Sequence, residues 1–161
     1  MVSKNLSTTQ TITLHDYLCA QVGHYTTQAP RNAFEWEVYR VLQQIPGLQV
    51  LTSVRPQGLG ALEVDFVIRW GNQIGVIEAK TKGAKSGIDQ IQAVAEQRYL
   101  GTYVAKFLIS ANPVDRNNKN LAQAYGIEVI ELTSYDKKTG KISTDDEEML
   151  CDRIIRKMMG R

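Results

Sequence analysis

Two apolar runs separated by Gly71-Asn72 constrain this 161-residue chain more than any other feature. Val64-Asp65-Phe66-Val67-Ile68-Arg69-Trp70 and Gln73-Ile74-Gly75-Val76-Ile77-Glu78-Ala79-Lys80 both read as strands, and a Gly-Asn pair is a good two-residue hairpin turn. With Gly71 and Asn72 as the loop, Trp70 pairs with Gln73. Counting back through an antiparallel ladder then sets Asp65 opposite Glu78 and Glu63 opposite Lys80. Side chains alternate faces along a strand. One face therefore carries Glu63, Asp65, Val67, Arg69, Ile74, Val76, Glu78 and Lys80; the other carries Val64, Phe66, Ile68, Trp70, Ile77 and Ala79. Three carboxylates and a lysine gather at the end far from the turn.

Carboxylates directly opposed across a strand pair repel and weaken the sheet. Two readings account for them. In the first, the hairpin is a solvated edge whose acids face water, with Lys80 bridging Glu63 or Glu78. In the second, a divalent cation turns the repulsion into attraction. Mg²⁺ takes oxygen ligands in octahedral geometry and uses one or two carboxylates plus substrate phosphate. Two acids and a lysine suit phosphodiester hydrolysis. The metal polarises the phosphoryl oxygen and lowers the pKa of an attacking water, while the Lys80 ammonium positions that water or neutralises developing charge.

Composition sets the frame without choosing between them. The length suits one domain, and 43% hydrophobic with 22% charged residues is ordinary globular composition. A net charge of +2 neither diagnoses nor excludes a nucleic-acid partner. Cys19 and Cys151 are too few and too separated for a disulfide framework or a zinc site, and read as reduced, buried small hydrophobes. No signal peptide or transmembrane run is visible, so a cytoplasmic location and no membrane partner are expected.

The rest of the chain reads as alternating helices and strands. Thr13 to Val22 is a short helix capped by Thr13, followed by a loop from Gly23 to Pro30. A firmer helix spans about Asn32 to Ile45 with Phe34, Val38, Val41, Leu42 and Ile45 as its inward stripe. Glu35 flanks that stripe in the first turn, whereas Glu37 and Arg40 are expected outward and Trp36 and Trp70 in the core. Leu48 to Val54 is a strand. Helices are expected from about Gly87 to Leu100, capped by Ser86, from Arg116 to Tyr125, and from Asp145 to Met159. Strands are expected from Val104 to Ile109 and from Ile127 to Leu132. The Met149, Leu150, Ile154 and Met158 face of the last helix reads as core or dimer surface.

This order of elements, with Asp65 and Glu78-x-Lys80 on the second and third strands, resembles the PD-(D/E)xK restriction-endonuclease-like nuclease superfamily over roughly residues 32 to 132. Within it the chain looks most like the nuclease domain of CRISPR-associated nucleases activated by cyclic oligoadenylate. Glu63-x-Asp65, the run Ile77-Glu78-Ala79-Lys80-Thr81, and Ala124-Tyr125-Gly126-Ile127 carry that likeness. The resemblance implies an α/β fold: an αβββαβ core with a mixed central sheet flanked by helices, an additional αβ unit and a C-terminal helix. It divides the chain into an arm, residues 1–31, and a single nuclease domain, residues 32–161.

It further implies that Asp65 and Glu78 bind Mg²⁺ or Mn²⁺, with the backbone carbonyl of Ala79 as a further ligand, and that Lys80 is the catalytic lysine. A glutamate from the first core helix completes many such sites, and here it is Glu35, whose other reading is a capping acid. Glu63 is either a further metal ligand or the neighbour of Lys80. Gln90 matches a glutamine found after the lysine in many members, or is a solvated helix residue. Lys82, Lys85 and Arg98 either contact phosphates or are solvated. Ala79 stands where a cysteine is often found, and the chain has no room for the nucleotide-sensing domain, so cyclic-nucleotide regulation does not carry over.

The expectation is a metal-dependent endonuclease acting on DNA or RNA, as a homodimer, with a possible separate regulatory or defence partner. A junction-resolving or Mrr-like restriction nuclease shares the same core. A non-catalytic nucleic-acid-binding or assembly module is the alternative of another class. The arm is a linker stub, a dimerisation arm or a substrate-contacting segment.

Overall fold

The computed structural model describes residues 12–57, 62–97, 100–101 and 103–160. Among these the chain runs α1 (Leu14–Val22), β1 (Tyr25–Thr26), α2 (Ala33–Leu42), β2 (Gln49–Pro56), β3 (Val64–Trp70), β4 (Gln73–Lys80), α3 (Ala84–Gln97), β5 (Ala105–Ser110), α4 (Arg116–Ala124), β6 (Ile127–Glu131) and α5 (Thr144–Met158). The hairpin forms in the register that its loop predicts, from Trp70 opposite Gln73 to Phe66 opposite Ile77. Gly71 takes φ 61°, the left-handed conformation that glycine adopts without steric penalty.

The six strands lie in sequence order in one sheet. β1 to β4 pair antiparallel, and β4, β5 and β6 pair parallel through helical crossovers. The hairpin is thus the middle of the sheet. Helices cover both faces: α2 and α5 pack over Phe66, Ile68, Ile77, Phe107 and Ile109, while α1 and α3 pack over Val67, Ile74, Val76 and Leu108. Helices cover most of β3 and β4 on both faces, so the hairpin is not a wet edge. The expected αβββαβ core runs from α2 to β5; α4 and β6 add the extra αβ unit, and α5 closes the first face.

The described part of the arm packs onto the sheet. Leu14 and Leu18 are buried in the second cluster, and Thr13 caps α1 by accepting from the Asp16 N–H. No helix among the described residues is long and apolar enough to cross a membrane.

Local expectations differ from the structure at several points. Trp36 is 50% exposed because it lies about 200° around α2 from Phe34, opposite the buried stripe. Trp70 is half-buried, packing against the first cluster and donating to the Pro46 carbonyl. Glu37, expected outward, is only 2% exposed. It sits about 60° from the stripe on the other flank, where Arg40 clamps both carboxylate oxygens at 2.7 and 2.9 Å and the Ile142 N–H donates to one of them at 2.9 Å. Helix α3 starts at Ala84, so Ser86 lies inside it; the Gly83 carbonyl accepts from the Ser86 and Gly87 N–H groups. Cys19 and Cys151 are half-buried, not buried. Val64 joins the cluster of Val67 rather than that of Phe66. Ser53, which faces Asp65 across β2 with φ 47°, interrupts the alternation there.

Candidate functional site

The β3/β4 main-chain ladder ends at Phe66 and Ile77, and one step further on the two acids replace it. The Ala79 N–H donates to Asp65 Oδ2 at 2.9 Å, and the Asp65 N–H donates to Glu78 Oε1 at 3.3 Å. Each carboxylate thus satisfies a main-chain donor on the opposite strand, which locks both side chains onto one face. The Ala79 methyl group points into the first cluster, away from that face.

Burial makes this pair electrostatically costly. Glu78 is 3% exposed. Loss of solvent, and then the neighbouring Asp65 charge, push its carboxyl up to about 9. Asp65 is also raised by burial, an effect opposed by the Ala79 N–H and by the nearby Lys80 ammonium. Two desolvated carboxylates in contact hold a proton between them rather than ionise together. A divalent cation fits the same donor set: crowded, dehydrated oxygens short of positive charge.

Glu35 arrives from α2. Asn32 caps that helix, accepting from the Glu35 N–H at 2.9 Å, while its amide donates to Glu35 Oε2 at 2.8 Å and the Arg31 N–H donates to Oε1 at 3.2 Å. The capping role is therefore real. The same residue also lines the cleft with Asp65 and Glu78, and its carboxyl is raised by burial and then by the Asp65 charge. Both readings of Glu35 describe one side chain.

Lys80 ends β4, its carbonyl accepting from the Ala111 N–H at 2.9 Å. Among the described residues its ammonium makes no hydrogen bond or ion pair, and its charge favours ionisation of Asp65 and Glu78. Helix α3 passes close by. A Cβ built on Gly87 would stand 3.1 Å from Lys80 Cγ and 2.7 Å from Leu108 Cδ1, so any other residue there would make the Leu108 side chain and the lysine stem shift.

Glu63 sits just before β3 and does not pair with Lys80. Its Oε2 accepts from Arg31 at 2.6 Å and Arg55 at 3.2 Å. Gln90 reaches from α3 to the same segment, donating to the Glu63 carbonyl at 2.6 Å. Lys82 lines the cleft, whereas Lys85 is paired with exposed Asp89 at 2.9 Å outside it. Arg98 lies outside the described residues.

Glu35, Glu63, Asp65, Glu78, Lys80, Lys82 and Gln90, with Ala79, thus border one cleft of about 520 Å³. Among the described residues no three acid, histidine or cysteine groups converge as a metal-ligand set. The reason is visible in the bonds above: Glu35 and Glu63 are each turned to partners of their own. Sequence reasoning missed Arg31, Asn32 and Arg55. Asn32 carried a signal, since Asn-x-x-Glu before an apolar stripe marks a helix start. Arg31 lies in a connection and Arg55 near the end of β2, beyond the expected strand end at Val54, and neither carried one.

No family model matches this chain, and no curated protein matches it in sequence. Its likenesses are structural. Can2 from Sulfobacillus thermosulfidooxidans, solved in complex with cyclic tetra-adenylate, superposes with a TM-score of 0.54 at 17% identity, covering 78% of this chain and 35% of that one. Protein VC1899 from Vibrio cholerae gives 0.51 at 22% identity, covering 78% and 32%. AF1548, a protein of unknown function, gives 0.51 at 19% identity, covering 72% and 65%. At these identities the likeness establishes the fold alone. The chain spans about a third of the length of the first two.

Proposed function

We propose that this chain is a metal-dependent nuclease that hydrolyses phosphodiester bonds in nucleic acid. The observation that carries the reading is the pairing of half-buried Asp65 with buried Glu78 at the end of a central ladder, beside Lys80, whose ammonium has no partner among the described residues. A purely structural position would not bury Glu78 against Asp65, whose charge pushes the Glu78 carboxyl further up. The fold shared with Can2 and the sequence resemblance to PD-(D/E)xK nucleases support it.

Asp65 and Glu78 would hold the cation, with Glu35 able to join them once it releases Asn32 or Arg31. When bound, Mg²⁺ or Mn²⁺ supplies Lewis acidity, polarising a phosphoryl oxygen and acidifying water. The chain's own residues do the rest. The Lys80 ammonium, held along Gly87, neutralises negative charge growing on the phosphate and orients water for in-line attack. Lys82 at the rim attracts the polyanion. The homodimer, and any separate regulatory or defence partner, belong to the same proposal.

The test is incubation of wild type, Glu78→Ala and Lys80→Ala with labelled single- and double-stranded DNA and RNA, in Mg²⁺, Mn²⁺ or EDTA. Cleavage by wild type with metal, lost in EDTA and in both variants, is expected. No cleavage of any substrate by wild type with either metal sinks the reading, and cleavage that survives EDTA or both substitutions sinks the mechanism.

A further inference from the structure

The acidic floor of the cleft has a basic flank that the catalytic reading does not use. Arg31 precedes the cap of α2 and Arg55 lies near the end of β2, yet both guanidinium groups converge on a single oxygen of Glu63. The Glu63 side chain is 15% exposed, and each arginine is 50% exposed.

We propose that Arg31, which lines this cleft, and Arg55, which joins it at Glu63, form a phosphate site at the cleft's edge, binding the nucleic-acid phosphate next to the scissile one. Glu63 is the positioning residue of that site rather than a metal ligand. The inference rests on the nuclease reading for the identity of its ligand.

Charge comes first. Two cations share one anion, so the cluster keeps a net positive charge beside three further carboxylates, Glu35, Asp65 and Glu78. An ion pair kept only for stability at half-exposed positions contributes about 0 to 1 kcal/mol and does not call for a second cation. Geometry comes next. A guanidinium has five N–H donors in a planar fork, and a single shared oxygen occupies few of them. The remaining donors are half-exposed and match the oxygens of a phosphate.

Position comes last. The Arg31 main-chain N–H holds Glu35, Gln90 holds the main chain of Glu63, and Arg31, Glu35 and Glu63 border the same cleft as Asp65 and Glu78. Lys82 also lines that cleft. A strand laid across the cleft would set one phosphate over Asp65 and Glu78 and its neighbour against the arginines. With Oε2 shared by two guanidinium groups, the Glu63 carboxylate is oriented by the arginines.

The test is fluorescence anisotropy of labelled single- and double-stranded DNA and RNA oligonucleotides with the full chain in EDTA, across a salt series, together with thermal melts. Arg31→Ala and Arg55→Ala are each expected to reduce the slope of log affinity against log salt by about 0.7 to 0.9, one phosphate contact apiece. Lysine at either position is expected to restore most of that slope. Glu63→Gln is expected to show the same Mn²⁺-induced rise in melting temperature as wild type. Alanine variants that bind like wild type, with or without a lower melting temperature, overturn the site. So does a wild type that binds no oligonucleotide, and loss of the Mn²⁺ shift in Glu63→Gln returns Glu63 to the metal. A wild type that binds in this way but never cleaves defeats the nuclease reading alone.

Discussion

Replacing Glu78 with glutamine should stabilise the metal-free chain, and by more as the pH rises. The Glu78 carboxyl is raised from 4.5 to about 9 by burial and by Asp65, so between those values the folded chain holds a proton that the unfolded chain has lost. That raised value favours folding fully below about pH 4.5, and its contribution is lost as the pH rises through about 9. At pH 7 the gap from 4.5 is two and a half pH units, which at about 1.4 kcal/mol per unit is on the order of 3 kcal/mol. Glutamine mimics the protonated acid: its oxygen can still accept the Asp65 N–H, and its amide can donate to the Asp65 carboxylate. For a domain of this size about 3 kcal/mol corresponds to roughly 6 to 12 °C in melting temperature. Calorimetry of wild type and Glu78→Gln in EDTA from pH 5 to pH 9 should show curves that nearly meet at the acid end and diverge toward the alkaline end. A gap that stays constant across the series would refute the shared proton and the burial argument behind it.

Other outcomes follow from the same contacts. Mn²⁺ or Mg²⁺ should raise the melting temperature of wild type more at pH 8 than at pH 6, because the cation competes with the proton held between Asp65 and Glu78; equal shifts at both values would contradict this. Gly87→Ala should lower the proposed nuclease activity and cost about 1 to 3 kcal/mol of stability in urea melts, since the added methyl would crowd Leu108 and push the Lys80 stem. A rise in stability, as alanine gives in an uncrowded helix, would show that the close approach is not there. Glu37→Ala should cost about 2 to 4 kcal/mol by chemical denaturation, because it strips Arg40 and the Ile142 N–H of their shared acceptor. Trp36→Ala should cost less than about 1 kcal/mol, far below the loss for a core tryptophan.

The stability of α2 and the geometry of the cleft differ in how far they could be read in advance. Phe34, Val38, Val41, Leu42 and Ile45 recur at helical spacing, and all are buried as that spacing requires. The same angular count places Trp36 outward and Glu37 close to the stripe. Here the pattern held the answer, and residue type, a large aromatic against a charged acid, misled. Val64 is a different case. Period two was sound until Ser53, in a backbone conformation no pattern announces, broke the alternation beside it.

The sequence by itself determined the heart of the site. A Gly-Asn loop admits one favoured register, and from that register the opposition of Asp65 and Glu78 follows by counting, because hairpin geometry is local. Only the tertiary structure decided what surrounds the pair. It put the hairpin in the middle of the sheet instead of at its edge, and so supplied the burial that crowds a proton between the acids. It brought Glu35 in from α2 and turned Glu63 away to Arg31 and Arg55. Those contacts join residues far apart along the chain, and they depend on how helices settle on a sheet, which no spacing within a single element encodes.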